Sequence, residues 1–448
     1  MSTSPALDAE TPSSLLVARG GVVWLATRRG WWLWAALVMS YLALWGAAAL
    51  LPTGPTDLEV FFWPGAMEAA SGHPFTIYHL RYSVTYPNAN GPVSLFPLTL
   101  VAMLARALGV ASDFGVRRVL VLTIFAIFPL LLSREALLAV ARLTSRRLSL
   151  RWTLAGAGAL LLAPALWQGM LGYGHIELAL MIWLLLLAVR QLAEGRPWLT
   201  GILLALAVLT RASAITYCAP LTVLMLSRGQ WKSALSLVSS GLATGVVALA
   251  PYLIASPANT VYSLVSFHAL LPVGHMTLSS LLLRTAWEPL VMAYDSLAVL
   301  VASLAVVALA LLLRRDLDIR SPDVYALLAA CGLCFPLLIK TLWPYYYYEC
   351  FVLLVIWWLA QRPGIMTRAR AARWAAGGLL PATLLALALA SDYMISLTLA
   401  WPDTERWSQV IALGTLGVLL TTVVMLCLSR AGVASHGPAS PDGPVVAL

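Results

Sequence analysis

Runs of about twenty apolar residues recur along this chain, and they constrain its fold more than any motif it carries. The first run is 31–51, and others come at short intervals to residue 430. About twenty apolar residues is the length a helix needs to cross a ~30 Å hydrocarbon layer. Inside such a layer every backbone N–H and C=O must be satisfied within the chain, so repeated apolar runs commit it to helices. Composition agrees: 61% of the 448 residues are hydrophobic, 10% are charged, and the mean hydropathy is +0.86. A soluble domain carries about a quarter charged residues. The expected fold class is an all-α polytopic membrane protein.

The spans read as 31–51, 118–140, 152–170, 178–193, 198–210, 212–227, 233–254, 289–313, 323–343, 345–361, 374–397 and 407–430. Segment 93–110 is apolar but short, and whether it crosses decides the side of every later loop. Loops rich in Lys and Arg stay in the cytoplasm. With 93–110 held at the interface, 19 of the 28 basic residues gather on one side. Twelve crossings result, with both termini cytoplasmic. The net charge of +9 is therefore a topology signal and no mark of nucleic-acid binding.

The expected organisation is a cytoplasmic tail over 1–30, a membrane module over 31–254 with a long outer loop at 52–117, a second module over 255–430 with an outer loop at 255–288, and a disordered tail over 431–448. Of the five cysteines, Cys331 and Cys334 form a CGLC pair inside a span. With no second pair to complete a metal or redox site, they read as small packing residues.

Polar chemistry collects on the predicted outer side. Asp57 and Glu59 stand just past the first span, followed by Phe61, Phe62 and Trp63, which suit a helix lying in the interface. His73, His79, Tyr86 and Asn88 come next in the same loop. A second outer turn, WQGMLGYGHIE, brings His175 and Glu177. The short spans 198–210 and 212–227 meet at Arg211, a charge at a depth where it needs a partner or a task. The loop 255–288 holds His268, His275 and Arg284, and KTLWPYYYYEC holds Lys340, Tyr345 and Glu349. A carboxylate beside aromatics and amides suits sugar binding and general-base work. The competing role for Asp57 is a helix N-cap, which also needs a carboxylate there. For the tyrosines it is an interfacial belt, and for a lone histidine a satisfied loop residue. The pair Asp57/Glu59 offers oxygens to a divalent metal, the lesser of its two readings; no cofactor is expected. Phosphate-binding loops, Rossmann glycines and zinc-protease motifs are absent, so transfer chemistry here needs an activated donor that is itself lipid-borne.

The sequence resembles the GT-C glycosyltransferases, multispan enzymes that use polyprenyl-phosphate sugars. The features that carry the resemblance are Thr56-Asp57-Leu58-Glu59 after the first span, the turn Gly172-Tyr173-Gly174-His175-Ile176-Glu177, and a short helical hairpin with Thr210-Arg211 at its tip. Within that class it is similar to glycosyltransferase family 87, the family of PimE-like mannosyltransferases. The stretch AMEAASGHPFTIYHL and Tyr86-Pro87 match that family's start, with Asn88 where a second proline is usual, and Arg284 is retained. The resemblance implies inverting transfer of one sugar, mannose in that family, from a polyprenyl-phosphate donor to a lipid or glycan acceptor. It implies Asp57 as general base with Glu59 in support, Arg211, Arg284 and Lys340 on the leaving phosphate, and a site on the outer face of the cell membrane. The alternatives are a transporter or lipid flippase, which predicts internal repeats, and a non-catalytic scaffold, which predicts that Asp57 is dispensable.

Overall fold

The computed structural model describes residues 28–51, 56–78, 90–144, 149–267, 276–282, 285–361, 368–398 and 405–428. No strand occurs among them. The helices are α1 (Arg28–Ala49), α2 (Trp63–Ala70), α3 (Pro92–Ala107), α4 (Phe114–Phe125), α5 (Ile127–Thr144) and α6 (Leu150–Leu161). Next come α7 (Pro164–Trp167), α8 (Glu177–Ala193), α9 (Pro197–Thr210), α10 (Ile215–Ser227), α11 (Trp231–Ala255) and α12 (Pro257–Val261). The chain continues through α13 (Leu278–Leu281), α14 (Glu288–Leu313), α15 (Asp323–Leu338), α16 (Tyr346–Ala360), α17 (Arg368–Thr398) and α18 (Glu405–Leu428).

Among the described residues, six helical segments are long and apolar enough to cross a membrane, or seven if the bent pair Leu150–Leu161 and Pro164–Gly172 is one span. The expected twelve crossings exceed that count, and the difference lies in length. Pro92–Ala107, Pro197–Thr210, Ala212–Ser227, Asp323–Leu338 and Tyr346–Ala360 are apolar but short. At 1.5 Å per residue, sixteen residues reach only about 24 Å. The expected interfacial segment 93–110 is helical as α3, with Pro97 inside it.

The layering reflects which helices are apolar on every side. α8, α15 and α16 have almost all their residues buried and form the centre. Around them pack α5 and α9 against α8, α14 and α18 against α15, and α17 against α16. α11 packs against α9 on the outside and buries only Ala234 and Leu237. Lipid tails are as apolar as leucine, so close backbone approach must hold such a pair together. Gly201 supplies it: a Cβ there would lie 2.1 Å from the Leu237 carbonyl oxygen. The polar residues of interest collect where α8 and α16 begin and α9 ends.

Candidate active site

Two π-helical turns frame the site, at Leu58–Phe62 and Gln168–Gly172. Such turns occur disproportionately at functional sites, because the extra residue re-aims the side chains beyond it. The first opens on Asp57 and the second delivers Tyr173-Gly174-His175. The two segments are joined by the Asp57 amide, which donates to the Tyr173 carbonyl at 3.0 Å. Gly174 makes the approach feasible. Its φ is +79°, and a Cβ there would lie 2.5 Å from Thr56 Oγ1 and 2.6 Å from the Leu58 nitrogen. Only glycine meets both demands.

Asp57 does not cap the helix it precedes, since its side chain accepts no capping hydrogen bond. Its side chain is 40% exposed, and Oδ2 lies 2.8 Å from His175 Nε2. The capping task falls to Glu59, whose Oε2 accepts from the Thr56 amide at 2.8 Å and the Thr56 hydroxyl at 2.5 Å. Glu59 is 4% exposed, with Oε1 3.9 Å from Arg118 Nη1. The two acids predicted as a pair therefore do different things. One faces out and the other is folded under its own helix start. Their carboxylates keep different partners, and no cluster of three metal-ligand side chains able to hold an ion occurs among the described residues.

From Asp57 a chain of charges runs inward. His175 Nδ1 lies 2.7 Å from Glu177 Oε1, and the same oxygen accepts from Arg211 Nη1 at 2.8 Å. Arg211 Nε faces Glu349 Oε1 at 3.2 Å. Glu349 in turn accepts from the Ser213 hydroxyl at 2.8 Å and the Tyr217 hydroxyl at 3.2 Å. The guanidinium lies beside two mutually perpendicular aromatic rings, 5.0 Å from the Tyr345 centroid and 4.9 Å from that of Tyr346, an arrangement favourable to a cation. The Tyr345 hydroxyl lies 2.6 Å from His175 Nε2.

With a carboxylate at each ring nitrogen, His175 is held as the imidazolium. Burial alone would lower its pKa, but Glu177 and Asp57 outweigh it and raise the ring to about 9. Behind it Tyr173 donates to Asp392 Oδ1 at 3.1 Å, and burial together with that carboxylate pushes its phenol upward.

Of the predicted site residues, Asp57, His175, Glu177, Arg211, Tyr345 and Glu349 come together. Arg211 is not an open phosphate clamp here, because Glu177 and Glu349 engage its fork and its side chain is 8% exposed. Lys340 is buried in the turn between α15 and α16, its amide donating to Asp295 Oδ2 at 3.3 Å. His73 stands apart at 66% exposure, 3.9 Å from Glu68. His79, Tyr86, Asn88, His268, His275 and Arg284 lie outside the described residues. Sequence reasoning did not single out Arg118, Ser213, Tyr217 or Asp392. Arg118 was the one with a signal: a charge inside an apolar run, now donating to the Leu171 carbonyl at 2.6 Å beside the second π turn.

Fold and site define an all-helical, multi-pass membrane protein with a carboxylate–imidazole–carboxylate array at one end of its central helices. No family model matches the chain, and no curated protein matches it. Among solved structures it is similar to the crystal structure of ArnT from Cupriavidus metallidurans in the apo state, with 14% identity over 89% of this chain and 77% of that one, and a TM-score of 0.47.

Proposed function

We propose that this chain is a membrane glycosyltransferase of the GT-C type, which moves one sugar from a polyprenyl-phosphate donor to a lipid or glycan acceptor with inversion. The observation that carries the reading is the state of Asp57: exposed, not used as a cap, and aimed by His175. A partly exposed carboxylate aimed by a hydrogen-bonded imidazole can take the proton of a hydroxyl placed against it. In the reaction the acceptor hydroxyl gives its proton to Asp57 as its oxygen bonds to the anomeric carbon. The anomeric C–O bond breaks on the opposite face, and its electron pair leaves on the polyprenyl phosphate. His175 and Glu177 fix the carboxylate, and Arg211 fixes Glu177. The leaving phosphate then falls to Arg284, the cation the sequence resemblance retains, since the fork of Arg211 is engaged and Lys340 is buried. Mannose is the sugar the sequence resemblance favours, and the outer membrane face is where such donors are used.

The test is transfer from a panel of radiolabelled polyprenyl-phosphate sugars to membrane-lipid acceptors by purified protein. Transfer by wild type and its loss in Asp57→Asn support the reading. No transfer from any donor, or a fully active Asp57→Asn, overturns it.

A further inference from the structure

At the end of α8 away from Asp57, a cavity of about 490 Å³ opens between the α8–α9 turn, the start of α11 and residues 318–320. Arg190 stands thirteen positions after Glu177 on α8, so this end lies about 20 Å from the site. Lys232 and Arg320 line the cavity with Gln230 and Ser233. Neither cation forms an ion pair among the described residues. Lys232 Nζ sits 5.6 Å over the Trp231 ring, and Arg320 commits only its Nε, to the Ala193 carbonyl at 3.2 Å. Asp318, the acid in the lining, turns back on its own loop and accepts the Arg320 amide at 2.9 Å. α9 and α11 both begin at this cavity without a side-chain cap. The first amides of α11, those of α9 after Pro197 (which has no N–H), and the positive ends of both dipoles are therefore free to meet an anion.

One further observation says what kind of anion. From the cavity, α11 carries an outward apolar stripe: Leu235 is 60% exposed, Leu242 66% and Val246 67%. Their spacing of seven and four residues keeps them on one helix face. A cationic polar cup that continues into an apolar stripe matches an amphiphile with an anionic head. We propose that this cavity seats the phosphate headgroup of an anionic membrane lipid whose acyl chains lie along α11. The proposal does not depend on the transferase reading, since neither the residues nor the readout involve sugar transfer.

The experiment is native mass spectrometry of the full-length protein in detergent, titrated separately with phosphatidylglycerol, phosphatidylcholine and inorganic phosphate. Each basic residue near a membrane surface favours an anionic lipid about fivefold, so the two together give a preference for phosphatidylglycerol of about 25-fold. Lys232→Ala with Arg320→Ala abolishes that preference, whereas Lys232→Arg with Arg320→Lys retains it. If the double alanine variant misfolds, Lys232→Gln at its exposed position reports alone, with a loss of about fivefold. Equal binding of the two lipids, or a preference that survives the double alanine change, overturns the proposal. Inorganic phosphate that binds as tightly as phosphatidylglycerol and displaces it overturns the lipid assignment.

Discussion

The two ends of α8 solve the same problem, a buried carboxylate in an apolar bundle, in opposite ways. At the far end Glu135 is 1% exposed, with Oε1 3.0 Å from Arg142 Nη2 and Oε2 2.8 Å from Arg190 Nη1. Both oxygens face cations, and those cations are themselves partly in solvent. Arg314 repeats the closed pattern nearby, between Asp316 at 2.9 Å and Asp323 at 3.1 Å. At the near end Glu177 is also 1% exposed, but its Oε2 has no hydrogen bond among the described residues. Its one bonded oxygen is shared by His175 and Arg211, and the chain of charges runs out to a carboxylate that is 40% exposed. A closed ion pair holds helices together. An open one leaves a group poised and spends stability to do so, as buried charges with incomplete partners do. The difference separates an end closed for architecture from one left open in the way the proposed base requires.

The strongest way to break this contrast is to neutralise one carboxylate at each end. Asp57→Asn removes the proposed base while keeping its shape, and transfer should fall about 10²- to 10⁴-fold. The melting temperature should fall less than in the Glu135 change, because the side chain is partly exposed and caps nothing, and Glu177, the larger influence on His175, stays in place. Glu135→Ala should do the reverse. Removing one partner of a buried pair costs about 3 kcal/mol, at the low end of the usual range because Arg142 and Arg190 can turn to solvent. Chemical or thermal unfolding should report that loss, with the transfer rate per folded molecule unchanged. If Glu135→Ala abolishes transfer in folded protein, or Asp57→Asn unfolds it, the division between the ends fails.

Most of the near end was legible in the sequence because its members are charges stranded in apolar surroundings. Asp57, His175, Glu177, Arg211 and Glu349 each stand where a span begins or ends, and hydropathy makes such residues conspicuous. What hydropathy does not carry is pairing. Arg211 reads as a cation awaiting a phosphate until α16 brings Glu349 to it. Asp57 and Glu59 read as one acidic motif until the π turn sends their carboxylates apart. Ser213, Tyr217 and Asp392 were invisible for a related reason: a hydroxyl or acid near a helix end acquires meaning only from a partner over a hundred residues away. The helical class came directly from the apolar runs. The number of crossings turns on the apolar helices that are short for a bilayer by length alone, among them α3, α9, α15 and α16.

A backbone change sharpens the contrast at smaller scale. Gly174→Ala keeps every charge in place but forces a Cβ into a left-handed residue pressed against Thr56 and Leu58. The conformational penalty is about 1–2 kcal/mol, before the contact with the Leu58 nitrogen is counted. The expected result is a loss of about 2 kcal/mol in stability together with a fall in transfer, since His175 would move off Asp57. Gly195, also left-handed at φ +76° but with open space around it, supplies the control. Ala there should cost only the conformational part and leave transfer intact. Equal effects at the two glycines would mean that the approach of residue 174 to the Asp57 segment is incidental.

The smallest effect is the most diagnostic, because it is written in pH. His175 is raised from its ordinary value to about 9 by Glu177 and Asp57 against the opposing effect of burial. A group whose folded pKa is raised stabilises the fold fully below its unfolded value, and the contribution fades as pH climbs through the folded value. Stability should therefore be level below about pH 6.5 and decline toward pH 9, by roughly 3 kcal/mol for a shift of this size. Transfer should track the upper limb, because a neutral ring cannot donate to both carboxylates at once and Asp57 loses its alignment. His175→Gln, which can still donate to one carboxylate, should lower the rate at neutral pH by about tenfold and erase the alkaline limb. Glu177→Gln should move that limb to lower pH, since it removes the larger of the two raising influences. A wild-type profile flat from pH 6 to 10, or an alkaline limb that persists in His175→Gln, would place the titrating group elsewhere and return the array to the same structural category as Glu135 and its arginines.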